Sequence, residues 1–289
     1  MHKILFCLLL WGSFLPNTWA DVNITTTIRP LQLIAETIVQ DHGTVTAIIA
    51  ANQSPHHYVM SPSNRLALAE ADLLVWIGPT FETYLADFFV PLKDSRKLLT
   101  VSEDENLIRH DIVPGQLDAH LWLDSRNAVL IAESISRAAS EQDSAHAAVF
   151  RENLNRFKAS IDSLNIEIEA AVAASPRAGY AVYHNAYQYF EKQFGLEHQF
   201  ALLRNPEVQP GIREIVAVRR RFAEEKPRCL LLEPDSNPDL VATAVAGQQL
   251  TTLTVDLLGH KVSSHQAATQ SGYIELMKNV ANDFVSCLY

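Results

Sequence analysis

In Ser144–Ala174, "SAHAAVFRENLNRFKASIDSLNIEIEAAVAA", the apolar residues Phe150, Leu154, Phe157, Ile161, Leu164, Ile168 and Ala171 recur at alternating steps of four and three. That spacing lays them along one stripe of a single long amphipathic helix. No glycine occurs between Gly115 and Gly179, and Pro176 closes the pattern. The helix can therefore extend about 45 Å at 1.5 Å per residue, enough to back two lobes. A coiled-coil seam has similar spacing, but roughly four heptads that end in alanine make a weak zipper. The segment is read as a strut between lobes in a monomer.

On either side of it, strand-like and helix-like segments alternate. Before the strut, "DVNITTTI" reads as a strand and "PLQLIAETIVQDHG" as a helix ended by Gly43. "TVTAIIA" follows as a strand, "PSNRLALAEA" as a helix and "DLLVWIG" as a buried strand. After the strut come strand "GYAVYH", helix "NAYQYFEKQFG" stopped by Gly195, helix "GIREIVAVRRRFAEEK", strand "CLLLEP", helix "VATAVAGQQL" and strand "TTLTVD". Such alternation predicts an α/β fold: two lobes with mainly parallel sheets joined by one long linking helix. The expected divisions are residues 21–142 for the first lobe, 143–175 for the helix and 176–289 for the second lobe. A continuous helix without proline or glycine bends little, so small movements between the lobes are expected.

The first 20 residues, "MHKILFCLLLWGSFLPNTWA", combine one lysine, an apolar run and small or polar residues before Asp21. They read as a signal peptide for export, 1–20, with a core too short to span a bilayer. Cys7 leaves with it, and Cys229 and Cys287 remain. In an exported chain such a pair reads either as a disulfide or as two buried thiols. Removing Lys3 lowers the basic count from 23 to 22 against 33 acidic residues, a formal charge of −11. A surface of that sign repels nucleic acid and enriches cations.

Ligands of open α/β sheets bind beyond the carboxyl ends of the strands, and metal-ligating residues collect there in this chain. His56 and His57 follow "TVTAIIA", His184 follows "YAVY", Glu233 ends "LLLE" and Asp256 ends "LTVD". His120, in "DAHLWLDS", stands just before a helix that Asp124 or Ser125 can cap. The groups come from both halves of the chain, which places a site in the cleft between lobes. Three neutral imidazoles, His56, His120 and His184, suit Zn²⁺ and leave one tetrahedral position for water, Asp256 or His57. Glu233 reads either as a partner for a ligating histidine or as a strand-end cap. The same recipe serves a zinc hydrolase, a rival from another class that would also need a general base and a substrate pocket.

In order along nearly the whole chain stand "SPHHY", "DAHLWLDS", "YHNAYQYFEKQFGL", "NPEVQPG", "LLLEP" and "TVDLLG". With these six motifs the sequence resembles the ZnuA-like family, periplasmic zinc-binding proteins of ABC-type zinc importers. The resemblance implies a bilobal α/β fold with one long linking helix. It also implies periplasmic capture of Zn²⁺ as cargo, delivery to an ABC-type zinc permease in the inner membrane, and no enzymatic activity. The family's histidine ligands fall on His56, His120 and His184, and its aspartate near the site on Asp256. Manganese-binding relatives tend to carry glutamate at the third position, so His184 favours zinc over the manganese or iron alternative. The resemblance also implies a disulfide between Cys229 and Cys287. Two departures stand out. "RHDIVPGQLDAH" holds only His110 before His120, where many zinc members carry a long loop rich in histidine and aspartate. His57 stands where the motif often has aspartate, and reads either as a spare ligand or as an exposed side chain.

Overall fold

The computed structural model describes residues 21–49, 53, 58–93, 95, 97–206, 208–263 and 272–289. The leader, His56 and His57 lie outside the described residues. The first lobe runs β1 (Val22–Thr26), α1 (Arg29–Val39), β2 (Gly43–Ala47), α2 (Pro62–Glu70), β3 (Leu73–Trp76), α3 (Ala86–Phe89), β4 (Leu98–Thr100), a hairpin of β5 (Asp111–Val113) and β6 (Gln116–Leu117), and α4 (Ser125–Gln142). The strut is α5 (Ala147–Ala174). Beyond it lie β7 (Tyr180–His184), α6 (Gln188–Phe194), β8 (Phe200–Leu203), α7 (Ile212–Glu225), β9 (Cys229–Leu232), α8 (Pro238–Ala244), β10 (Thr251–Thr254) and α9 (Gly272–Leu288). Each lobe is built on a four-stranded sheet, β2-β1-β3-β4 and β10-β9-β7-β8. All strand pairs in both sheets are parallel. Among the described residues no helix is long and apolar enough to cross a membrane.

Local chemistry explains most boundaries. Asp124 accepts from the Arg126 backbone N–H and caps α4, while Ser61 accepts from Asn64 N–H at α2, where Pro62 occupies the first helical position. Gly195 adopts φ 66° and closes α6. The end of α1 differs from the expectation. The helix stops at Gln40, which takes φ 46°, and Gly43 opens β2 instead. Glycine is needed there for close approach: a Cβ would stand 2.8 Å from the Val22 carbonyl oxygen and 2.9 Å from the Val39 side chain.

The strut is 28 residues long, about 42 Å, and begins at Ala147 rather than Ser144. It buries Phe150, Phe157, Ile161, Leu164 and Ile168 as expected, but Val172 takes the place of Ala171, and Leu154 is only half-buried. An α-helix has 3.6 residues per turn, so a strict four-three alternation drifts off the buried face. Asn153 is buried because its side-chain amide donates to the Ile38 carbonyl at the end of α1. One face of α5 covers α1 and α4, and α9 packs beside it while also touching α1, β9 and β10.

A single apolar core therefore runs from the first sheet through the strut into the second lobe. A smaller core lies on the other face of the second sheet, where Ala181 and Tyr183 of β7 meet Phe222 of α7, while Tyr180 and Val182 face the main core. Cys229, at the start of β9, is disulfide-bonded to Cys287 in α9 across 58 residues of sequence. Closing a loop of that length contributes about 4 kcal/mol by the chain-entropy model and ties α9 to the second sheet.

Candidate metal centre

His184 is the last residue of β7, the strand that lies between β8 and β9, and it is 4% exposed. Its Nδ1 lies 2.7 Å from Glu233 Oε1, at the end of the neighbouring β9. Glu233 is held by its own loop: its backbone N–H donates to Ser236 Oγ, and Tyr187 Oη approaches Oε1 at 3.5 Å. Burial pushes the His184 imidazole down, but the charges of Glu233, Asp235 and Asp118 outweigh it and hold the group above the ordinary histidine range.

His120 comes from the first lobe, on the loop between β6 and α4. It is paired in the same way, Nδ1 to Asp118 Oδ1 at 2.7 Å, and the same oxygen accepts from the His120 backbone N–H at 3.0 Å. Asp118 is fully buried. Burial pushes its carboxyl up, yet His120 and Gln188 more than offset this and leave it below the usual carboxylate range. Trp122 stands 5.4 Å and Phe81 6.1 Å from the His120 ring, centroid to centroid, forming an aromatic wall.

Much of what fixes the His120 loop comes from the other lobe. Gln188 Nε2 donates to Asp118 Oδ2 at 2.7 Å, and Tyr189 Oη donates to the Asp118 carbonyl at 2.9 Å. Trp122 Nε1 donates to the Leu257 carbonyl, and Tyr273 Oη to the Trp122 carbonyl. Gln193 and Ser125 exchange two further hydrogen bonds.

The two imidazole centroids are 5.4 Å apart. Two imidazoles bound through Nε2 to one tetrahedral zinc, at Zn–N of about 2.0–2.1 Å, would have centroids about 5.2 Å apart. Each Nδ1 is engaged by a carboxylate, the carboxylate–histidine arrangement common around bound metals, in which Nε2 is the coordinating nitrogen. Among the described residues no group of three or more His, Cys, Asp or Glu is placed to hold a metal. Two of the three expected histidines come together, and the third, His56, lies outside the described residues together with His57.

Asp256 is buried beyond the end of β10, and its carboxylate gathers three backbone amides: Leu258 and Gly259 on Oδ1, Lys261 on Oδ2. Its clearest role is to shape the 256–261 loop, on which Leu257 receives Trp122. Where many zinc relatives were expected to carry a long loop stands the β5–β6 hairpin. His110 at its edge lies against Tyr189, 4.8 Å between ring centroids, and burial pushes its imidazole down. Three other described histidines make structural contacts: His42 stacks on His146, His146 pairs with Asp143, and His198 with Glu191. Sequence reasoning missed Asp118, although a carboxylate two residues before a histidine was visible in "DAH". It also missed Gln188, for which no local signal existed.

Comparison with known proteins points the same way. The profile of the family described as zinc-uptake complex component A, periplasmic (ZnuA), matches residues 24–287. The high-affinity zinc uptake system protein ZnuA of Brucella abortus (strain 2308) is 26% identical, covering 100% of this chain and 98% of the relative. The protein of the same name from Haemophilus ducreyi is 27% identical, covering 94% and 95%. Among solved structures, the periplasmic zinc-binding protein TroA of Treponema pallidum superposes with a TM-score of 0.81 at 18% identity, over 93% of this chain and 99% of that one.

Proposed function

The chain belongs to the ZnuA family of periplasmic zinc-uptake components, and from that membership we propose that it captures Zn²⁺ in the cleft between its lobes and hands it to an ABC-type importer. The observation that carries the reading is the facing pair His120 and His184, each with Nδ1 on a carboxylate, 5.4 Å between ring centroids. His56 supplies the third imidazole. The fourth position falls to water or to Asp256, whose Oδ2 accepts only the Lys261 amide among the described residues and so keeps a lone pair. His57 stays outside the coordination sphere.

An all-imidazole set favours zinc over manganese, which prefers carboxylate oxygens. No bond of the cargo is made or broken, so the protein is a carrier and not an enzyme. Residues 1–20 direct it to the periplasm, where it acts as a monomer. Lobes 21–142 and 176–289, joined by the 143–175 strut, move little on binding, because α5 and α9 share one core with both sheets. Titration of metal-free protein with Zn²⁺ and Mn²⁺ tests the reading. Zinc should bind at least tenfold more tightly, and His56→Ala should remove that preference along with most of the affinity. Equal affinity for the two ions, or an unaffected His56→Ala variant, would overturn it.

A further inference from the structure

We propose that Gln188 is a positioning residue for the metal centre, through which the second lobe sets the orientation of a histidine carried by the first; this rests on the zinc-binding reading above. Gln188 opens α6, four residues beyond His184, and its side chain is almost wholly buried. Its amide is held from both ends. Lys192, one turn along the same helix, donates from Nζ to Gln188 Oε1 at 3.1 Å. An ammonium can only donate, so the carbonyl oxygen of the amide turns to Lys192 and the NH₂ turns to Asp118. There Nε2 donates to Asp118 Oδ2 at 2.7 Å.

The consequence passes along the chain. Asp118 Oδ1 already accepts from the His120 backbone N–H, so with Gln188 in place both carboxylate oxygens face donors and the carboxylate plane is fixed. The ring nitrogen that meets Oδ1 must then also be a donor, which makes His120 the Nδ1–H tautomer, the form that coordinates through Nε2. Without Gln188, Asp118 keeps its backbone anchors from His110 and Tyr189, but its buried Oδ2 loses its side-chain donor and the carboxylate can rotate. Gln188 touches neither the ion nor His120. It acts through Asp118.

The test is a double-mutant cycle on the full chain, read by zinc affinity in chelator competition. Gln188→Met keeps length and apolar bulk but cannot donate. It should lower zinc affinity about three- to tenfold, less than loss of the carboxylate itself. In an Asp118→Asn background the same change should have almost no effect. A Gln188→Met effect that is absent in the parent, or equal in both backgrounds, overturns the proposal. A second readout needs no variant: ¹⁵N NMR of the metal-free protein should show His120 protonated at Nδ1 and bare at Nε2, and the opposite tautomer overturns the proposal even if Gln188→Met does not fold. His120→Ala separates the two levels of argument. If it binds zinc as the parent does, the zinc site is misplaced; if it loses zinc while Gln188→Met is silent, only the positioning role is wrong.

Discussion

At the carboxyl end of its sheet the second lobe presents His184 paired with Glu233, and beyond β10 an Asp256 wrapped by three amides. The first lobe presents Thr27 beyond β1 and Glu82 beyond β3. Both side chains are fully buried, and Glu82 Oε2 accepts from the Gly78 backbone N–H. Its histidine, His120, comes from a loop held by Gln188, Tyr189 and Tyr273 of the other lobe. The contrast teaches that the two lobes do not contribute symmetric halves. The second lobe supplies one side of the proposed site and also braces the His120 loop of the first.

The largest effect expected from this asymmetry is on binding. His120→Ala and His184→Ala should each reduce zinc affinity by more than the roughly 100-fold that outer partners of a ligand command, measured by calorimetric titration. If the second lobe braces the His120 loop, His120→Ala should lower the thermal midpoint of the metal-free protein by no more than a few °C, because it removes the Nδ1 bond to Asp118 but none of the Gln188, Tyr189 or Trp122 bonds. A large drop in that midpoint would show that His120 itself holds the loop, and the asymmetry would fail.

Next in size is the pH dependence set by Glu82. Burial pushes its carboxyl up to about 7 from the ordinary 4.5, against the hydrogen bonds from Thr27 and from the backbone at Gly78 and Ile77. The folded pKa lies above the unfolded one, so between pH 4.5 and 7 the native state binds a proton that the unfolded chain has released. Stability from this group is therefore present at low pH and lost as pH rises through about 7, by roughly 3 kcal/mol in all. Protonated, Glu82 can itself donate to Thr27 Oγ1. Glu82→Gln, which is always neutral, should match the parent near pH 4.5 and exceed it in urea unfolding at pH 8. Identical pH profiles for parent and variant would rule this out.

Much of the architecture was legible in the residue pattern, because the strut stripe from Phe150 to Ile168 and the strand ending at His184 are local signals. What escaped needed tertiary partners. Asn153 is polar and reads as surface until Ile38 is placed beside it, and Gly43 serves the start of β2 rather than the end of α1 because it packs against Val22 and Val39. Nothing in "GPTFETYL" marks Glu82 as buried, since burial there depends on β1 lying next to β3. Gln188 is likewise invisible without the lobe interface, as its partner Asp118 lies 70 residues away.

The smallest effect separates the two carboxylates that engage the histidines. Outer partners of metal-bound histidines are worth about 10–100-fold in affinity, about 1.4–2.7 kcal/mol. Asp118 accepts two bonds on Oδ1 and one on Oδ2, all from groups that can only donate at that point. In Asp118→Asn one of those oxygens becomes an NH₂ that faces a donor, so the loss should fall near the 100-fold end. Glu233 meets His184 through Oε1, and Tyr187 approaches the same oxygen, so in Glu233→Gln the amide oxygen can still accept there while the NH₂ turns away. That loss should fall near tenfold. Chelator competition on the two variants gives the order directly: a smaller loss for Asp118→Asn than for Glu233→Gln would mean that the first lobe orients its histidine without help from the second.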